Sequence, residues 1–380
     1  MHRIKDFLPK ITTVVVKIGT NLLADKVHGI NIQRIDSIAR NAHTFISSAG
    51  CNMVIVSSGA IGAGVATLRL QGRPRTIPEK QAVAAIGQPL LMEAYEKSFR
   101  KLGVPIAQLL LTNDDFARRG RYVNARNTFA ALFQKRTVPI VNENDTVAIE
   151  EIRLGDNDNL SAMVATLVGA DLLLILSDVD GLYSDDPSRN TGAELVQVVD
   201  RITSKIEHFA KSNRNELSTG GMRTKIQAAR RCAGAGITTV ITNGANPNAV
   251  DEVLSGSFRG TVFLPVTRRL SKRKEWIALV SHTAGKIVVD DGAKNALLKR
   301  SKSLLPSGIL KVQGEFDVRD VISILDIDGK EIGKGITGFS STELTRIKGK
   351  KSSEIEEILK RPAPSEVVHR DNLTTVVQEE

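Results

Sequence analysis

Short runs of β-branched and aliphatic residues recur along the chain, and between them lie longer stretches with the spacing of amphipathic helices. That rhythm constrains the fold more than any single motif does. The runs are residues 11–17 (ITTVVVK), 53–56, 104–111, 138–141, 171–176, 238–241 and 261–264. Helical spacing covers residues 32–48, 78–102 and 121–136. It is clearest where Leu160, Met163, Val164, Leu167 and Val168 fall at i, i+3, i+4, i+7 and i+8, with Asp158 or Asn159 placed as the N-cap. Runs without a polar face are strands buried on both sides, and strands that alternate with helices are joined by crossovers. The expected fold is therefore α/β, an open and mostly parallel sheet covered by helices on both faces.

The rhythm stops after residue 265. The composition changes to VTRRLSKRK, which reads as a linker over 266–276. Beyond it, short alternating runs at 286–289, 309–312, 321–325 and 331–336 are separated by Gly, Asp and Asn turns, with helices at 292–299 and 352–359. This predicts a main domain over 1–265, a small β-rich domain over 277–361 and a frayed tail over 362–380. Of the net charge of +10, residues 266–361 carry +7, from 20 Lys/Arg against 13 Asp/Glu, so RNA is a candidate partner of the small domain. The longest apolar run, 172–176, is too short to cross a bilayer and no signal peptide is visible, so the expectation is a cytoplasmic protein without membrane contact. Cys51 and Cys232 have no partner spacing and read as buried free thiols.

The polar residues that carry chemistry gather where strands end and helices begin. Residues 138–141 run into Asn142-Glu143-Asn144-Asp145, and Gly155-Asp156-Asn157-Asp158-Asn159 precedes the next helix. Carboxylates and carboxamides at such a place mark a polar small-molecule site, since open α/β sheets bind ligands outside the carboxyl ends of their strands. A calcium loop is excluded: the turn glycine and the bidentate glutamate are missing. The first strand ends in Lys17-Ile18-Gly19-Thr20, which suits an anionic group, with glycine admitting backbone N–H groups and lysine supplying a point charge. Ser57-Ser58-Gly59 and the small residues up to Gly64 follow the second strand, and Ser177-Asp178 ends a later one, where a carboxylate could orient lysines or reach a metal. Residues Thr219, Gly220, Gly221, Met222, Arg223, Thr224 and Lys225 combine a glycine approach, a helix N-terminus and a lysine, three devices that favour phosphate. No Walker A sequence is present, so a P-loop is excluded.

Taken together, VVVKIGT, VSSGAIGAG, PIVNENDTVA, LGDNDNLSA, LSDVDGLYSDDP and TGGMRTK resemble the amino-acid kinase family, and within it the glutamate 5-kinase branch. GKIVVDDGA, SLLPSGI and GKGITGFSS resemble a PUA domain. The resemblance implies ATP-dependent phosphorylation of the γ-carboxylate of L-glutamate, the first step of proline biosynthesis, with Mg²⁺ accompanying ATP. It implies that Lys17 and Lys225 hold the transferring phosphoryl group, with Asp178 orienting both. Ser177, Asp178 and the 219–225 segment would bind ATP, and Ser58, Asp145, Asn157, Asp156 and Asn142 would bind glutamate. Feedback inhibition by proline, RNA binding through the PUA-like domain and a homo-oligomeric state are further expectations. The alternatives are another family member, acting on acetylglutamate, aspartate or UMP, and an RNA-binding protein with a vestigial kinase fold. The paired NENDTVA and GDNDN segments weigh against the first. Intact Lys17, Asp178 and Lys225 weigh against the second, as does the thin aromatic content of the small domain.

Overall fold

The computed structural model describes residues 8, 10–23, 29–48, 50–72, 74–147, 157–187, 190–212, 221–265, 274, 276–277 and 283–375. The chain forms two compact units, residues 1–115 with 122–269, and residues 116–121 with 270–380.

The first unit opens with β1 (Thr13–Ile18), α1 (Thr20–Leu23), α2 (Ile32–Ser47), β2 (Asn52–Val56), α3 (Ala60–Thr67), α4 (Ile77–Arg100) and β3 (Ile106–Leu111). It continues with α5 (Asn113–Ala117) and α6 (Arg119–Gln134), whose residues 116–121 group with the second unit, and with β4 (Val138–Glu143), α7 (Asn157–Val168), β5 (Leu172–Ser177), β6 (Val198–Val199) and α8 (Ser204–Ser212). α9 (Met222–Gly234), β7 (Thr238–Asn243), α10 (Ala249–Ser255) and β8 (Gly260–Phe263) complete it. The strands form one sheet in the order β3-β4-β2-β1-β5-β7-β8-β6. Every neighbouring pair is parallel except β7 with β8.

β1 lies between β2 and β5. The chain builds one half of the sheet through β2, β3 and β4, then returns to the other side of β1 with β5. The strand order therefore reverses at β1, and the crevice outside the carboxyl ends there is where such a sheet receives ligands. Strand alternation decides what faces each way. Val14, Val16 and Ile18 enter a core with Ile35 and Ile38 of α2 and Leu91, Tyr95 and Phe99 of α4. Val15 and Lys17 take the opposite face, where α7 packs against β1. Because both faces are covered, β1 carries a continuous apolar run broken only at its last turn toward the crevice.

α7 begins at Asn157, one residue before the expected cap, so Asp158 and Asn159 lie in its first turn. Nine of its twelve residues are buried, which follows from a position between the sheet and α9. α4 is fixed at its start by a capping box in which Thr76 and Glu79 each accept from the other's backbone N–H. Burial pushes the Cys232 thiol up to about 12, whereas Cys51 is only half-buried; both are free.

The second unit holds a five-stranded sheet, in the order β10-β9-β11-β12-β13, made from β9 (Gly285–Val289), β10 (Ile309–Gln313), β11 (Val321–Leu325), β12 (Glu331–Ile336) and β13 (Leu373–Thr375). Its core includes Ile287, Ile322, Ile324, Phe339 and Leu344. Here the expected tail needs correction. Residues 362–375 complete the domain: β13 pairs with β12, and Val367 and Val368 are fully buried in the same core. Two adjacent valines give no periodic signal, and only the sheet shows that β12 has an edge to be covered. Residues 116–121 group with this unit, and within it Trp276 donates its indole N–H to the Phe116 carbonyl at 2.9 Å. Of the expected linker 266–276, only residues 274 and 276 are described. No described helix is long and apolar enough to cross a membrane.

Candidate active site

The carboxyl ends of the central strands bring together side chains far apart in sequence. Lys17 is the penultimate residue of β1, Ser57 and Ser58 follow β2, Asn142 lies in β4 and Ser177 ends β5. The N-terminus of α7 points at the same edge, and α9 packs beside α7.

At the centre is Asp158, completely buried in the first turn of α7. Its Oδ1 is 2.6 Å from Lys17 Nζ and its Oδ2 is 3.2 Å from Lys225 Nζ. The Thr224 hydroxyl donates to Oδ2 at 2.8 Å. Lys17 and Lys225 are each 5% exposed, so this is a buried cluster of two ammonium groups on one carboxylate. Burial alone would raise the Asp158 pKa; the charges of Lys17 and Lys225 outweigh it and hold the carboxyl well below the usual carboxylate range. The carboxylate thus fixes both lysines on one point, which prepares a site for a group of concentrated negative charge.

Asp178, expected to orient the two lysines, does not stand between them. It is exposed at the end of β5, accepting from Asn21 Nδ2 at 3.0 Å and from the Ser177 hydroxyl at 3.2 Å. A strand-end carboxylate points along the crevice rim, whereas the first turn of α7 lies directly under β1 and against α9. Sequence reasoning treated Asp158 as a helix cap and missed this role. A signal was available: α7 is apolar around most of its circumference, and a carboxylate in such a helix must be paired with a cation.

A second cluster lies beside the first. Asn157 Nδ2 donates to the Ser57 carbonyl at 2.7 Å, to Ser58 Oγ at 2.9 Å and to Asn142 Oδ1 at 3.0 Å. Ser58, Asn142 and Asn157, all expected in the substrate site, are therefore joined in one network. Behind it, the Ser57 hydroxyl and the buried Tyr95 hydroxyl share a hydrogen bond of 3.0 Å. Gly59 at φ +107° turns the chain from this network into α3, a conformation that L side chains rarely adopt. Asp145 lies half-buried in the turn after β4. Asp156, Thr219 and Gly220 lie outside the described residues.

α9 starts at Met222 with Gly221 as its N-cap, and no side chain caps it. The Met222 side chain is buried and Arg223 is exposed, so a phosphate approaching this end would meet main-chain N–H groups and Lys225. Among the described residues no group of three or more His, Cys, Asp or Glu side chains is placed to hold a metal ion.

Residues 12–243 match the amino acid kinase family and residues 285–359 match the PUA domain. The chain is 45% identical to the glutamate 5-kinase of Syntrophotalea carbinolica over 97% of its own length and 98% of that protein. It is 45% identical to the glutamate 5-kinase of Geobacter sulfurreducens, over 97% and 99% of the two chains. With that of Moorella thermoacetica the identity is 47%, over 96% and 97%. A sheet that reverses at β1, two lysines converging on one carboxylate and this likeness over almost the full length agree: the chain belongs to the amino acid kinase family, as a glutamate 5-kinase with a PUA domain at its C-terminal end.

Proposed function

We propose that the chain transfers the γ-phosphoryl group of ATP to the γ-carboxylate of L-glutamate, giving γ-glutamyl phosphate and ADP. The observation that carries this is the pair of buried lysines held on Asp158 at the carboxyl ends of the central strands. A carboxylate oxygen of glutamate attacks the γ-phosphorus while the bond to the β-bridging oxygen breaks. The nucleophile is already ionised, so no catalytic base is needed. What the reaction needs is in-line placement and neutralisation of the phosphoryl oxygens, which Lys17 and Lys225 supply from either side. The main-chain N–H groups at the start of α9, with Ser177 and Asp178 at the end of β5, would take the nucleotide. Mg²⁺ would enter on the phosphate oxygens of ATP, with Asp178 the exposed carboxylate at that rim, and would supply charge neutralisation.

The amide network would bind the amino acid. Asn157, with Ser58, Asp145 and Asp156, would offer the oxygens that an α-ammonium requires, and Asn142 would act from behind by holding Asn157. Proline carries the same α-carboxylate and a secondary ammonium, which supports its inhibiting through these groups. RNA is the proposed partner of the PUA domain. Its support is the match to the PUA domain over residues 285–359 and a cavity of about 750 Å³ where Lys302, His369 and Arg370 stand beside Asp290 and Glu366. A reaction on free glutamate and ATP is consistent with a cytoplasmic location.

The test is ATP turnover against glutamate, N-acetylglutamate, aspartate and UMP, with the acyl phosphate trapped by hydroxylamine. Glutamate-dependent hydroxamate is the expected product. Preference for any of the other acceptors would replace this reading.

A further inference from the structure

Gln88 belongs to none of the motifs that point to the site, yet its side chain ends there. It follows Gly87 on α4, where α4 crosses α3 so closely that a Cβ on Gly87 would collide with the backbone of Ala60 and Gly64. α3 starts two residues after Ser58, so this crossing ties the position of Gln88 to the substrate loop.

Gln88 Oε1 accepts from Asn142 Nδ2 at 2.9 Å. With Nδ2 engaged there, Asn142 presents Oδ1 to the other side, where it accepts from the Glu143 N–H at 2.9 Å and from Asn157 Nδ2 at 3.0 Å. Asn157 Nδ2 also donates to the Ser57 carbonyl and Ser58 Oγ. A carboxamide has one NH₂ and one carbonyl oxygen. Spending the NH₂ of Asn157 on protein acceptors leaves its Oδ1 as the group it can offer a ligand. The pocket then presents an acceptor, which suits an ammonium and not a carboxylate.

We propose that Gln88 is a positioning residue which, through Asn142, sets the orientation of the Asn157 amide and so makes the amino-acid pocket selective for a free α-ammonium group. This rests on the reading above that Asn157 receives the substrate. Asn142 is only 4% exposed, so losing the acceptor at Gln88 leaves two outcomes. Either a buried N–H₂ stays unpaired, or the amide turns over and sets donors against the Glu143 N–H and Asn157 Nδ2. Both loosen Asn157, and neither touches the lysines.

The test is a double-mutant cycle on the full-length enzyme with Gln88→Leu and Asn142→Ala, read by steady-state kinetics. Gln88→Leu is expected to raise the KM for glutamate by about tenfold, in line with an unsatisfied buried donor, while the KM for ATP stays within about twofold. In the Asn142→Ala background the same substitution should add nothing, since its effect passes through Asn142. Gln88→Glu keeps an acceptor and should restore most of the lost affinity, which also guards against a folding defect in the leucine variant. An unchanged glutamate KM, an equal rise for ATP, or full additivity with Asn142→Ala would overturn the inference. The four-acceptor assay on the wild type comes first and the cycle uses the substrate it identifies, so failure of the substrate reading and failure of the amide relay are separate results.

Discussion

Replacing Asp158 by Asn removes one charge with almost no change of volume, at a point where both lysines have been taken out of water. The geometry sets the scale. At about 3 Å and an effective dielectric near 20, each lysine gains roughly 5 kcal/mol of gross attraction to the carboxylate, most of it offset by desolvation. Breaking a buried pair of this kind costs a net of about 3–5 kcal/mol, because the remaining charges stay buried. Against a typical stability of about 5–15 kcal/mol, Asp158→Asn should sharply lower the stability of the first unit. Turnover should fall by on the order of 10²-fold or more, since the lysines no longer converge. Urea unfolding followed by far-UV circular dichroism is the suitable assay, because it reads the helices of the first unit directly. Inorganic phosphate should stabilise the variant more than the wild type, because an anion binding the native lysines replaces the missing charge. The pH dependence follows from the depressed Asp158 pKa. Stability from a carboxyl whose folded pKa is lowered is fully present above its unfolded value, near about 4, and is lost as pH falls toward the folded value. The gap between wild type and variant should therefore be full at neutral pH and narrow below about pH 4. A destabilisation under about 1 kcal/mol at pH 7, with unchanged turnover, would refute a buried charge cluster at this position.

Two further substitutions separate the chemistry from the scaffold. Lys225→Ala should lower kcat by on the order of 10²–10³-fold with the fold intact by circular dichroism; near-normal turnover would remove Lys225 from the phosphoryl site. Gly87→Ala places a methyl group against the backbone of α3, which cannot yield as a side chain would, and should cost about 1–3 kcal/mol in thermal or urea unfolding while raising the glutamate KM through the shifted Ser58 loop.

Much of the architecture was legible because it rests on local patterns. The strand expected at 53–56 is β2 at Asn52–Val56, and the helix expected over 78–102 is α4 at Ile77–Arg100. Both are long-range in packing but local in signal, through a short apolar run and through helical periodicity. Ser58, Asn142 and Asn157 were grouped by the resemblance to the amino-acid kinase family, and the structure joins them by direct hydrogen bonds. Asp158 was not. Its neighbours in sequence are turn-forming Asp and Asn residues, so a helix cap was the economical reading, and its two partners lie 141 residues before it and 67 after it. The chain beyond residue 361 was misjudged for a related reason: β13 has meaning only as the cover of the β12 edge.

By itself the amino-acid sequence determined the alternation of strands and helices, the break near residue 266 and the placement of polar chemistry at strand ends. Each of these depends on the period of apolar residues or on turn and cap preferences acting within a few positions. Only the tertiary structure decided which carboxylate holds the lysines and how the carboxamides beside them are oriented. Those outcomes depend on what β1 buries beneath it, on how closely α4 can approach α3 at Gly87, and on hydrogen bonds whose direction one distant carboxamide passes to the next.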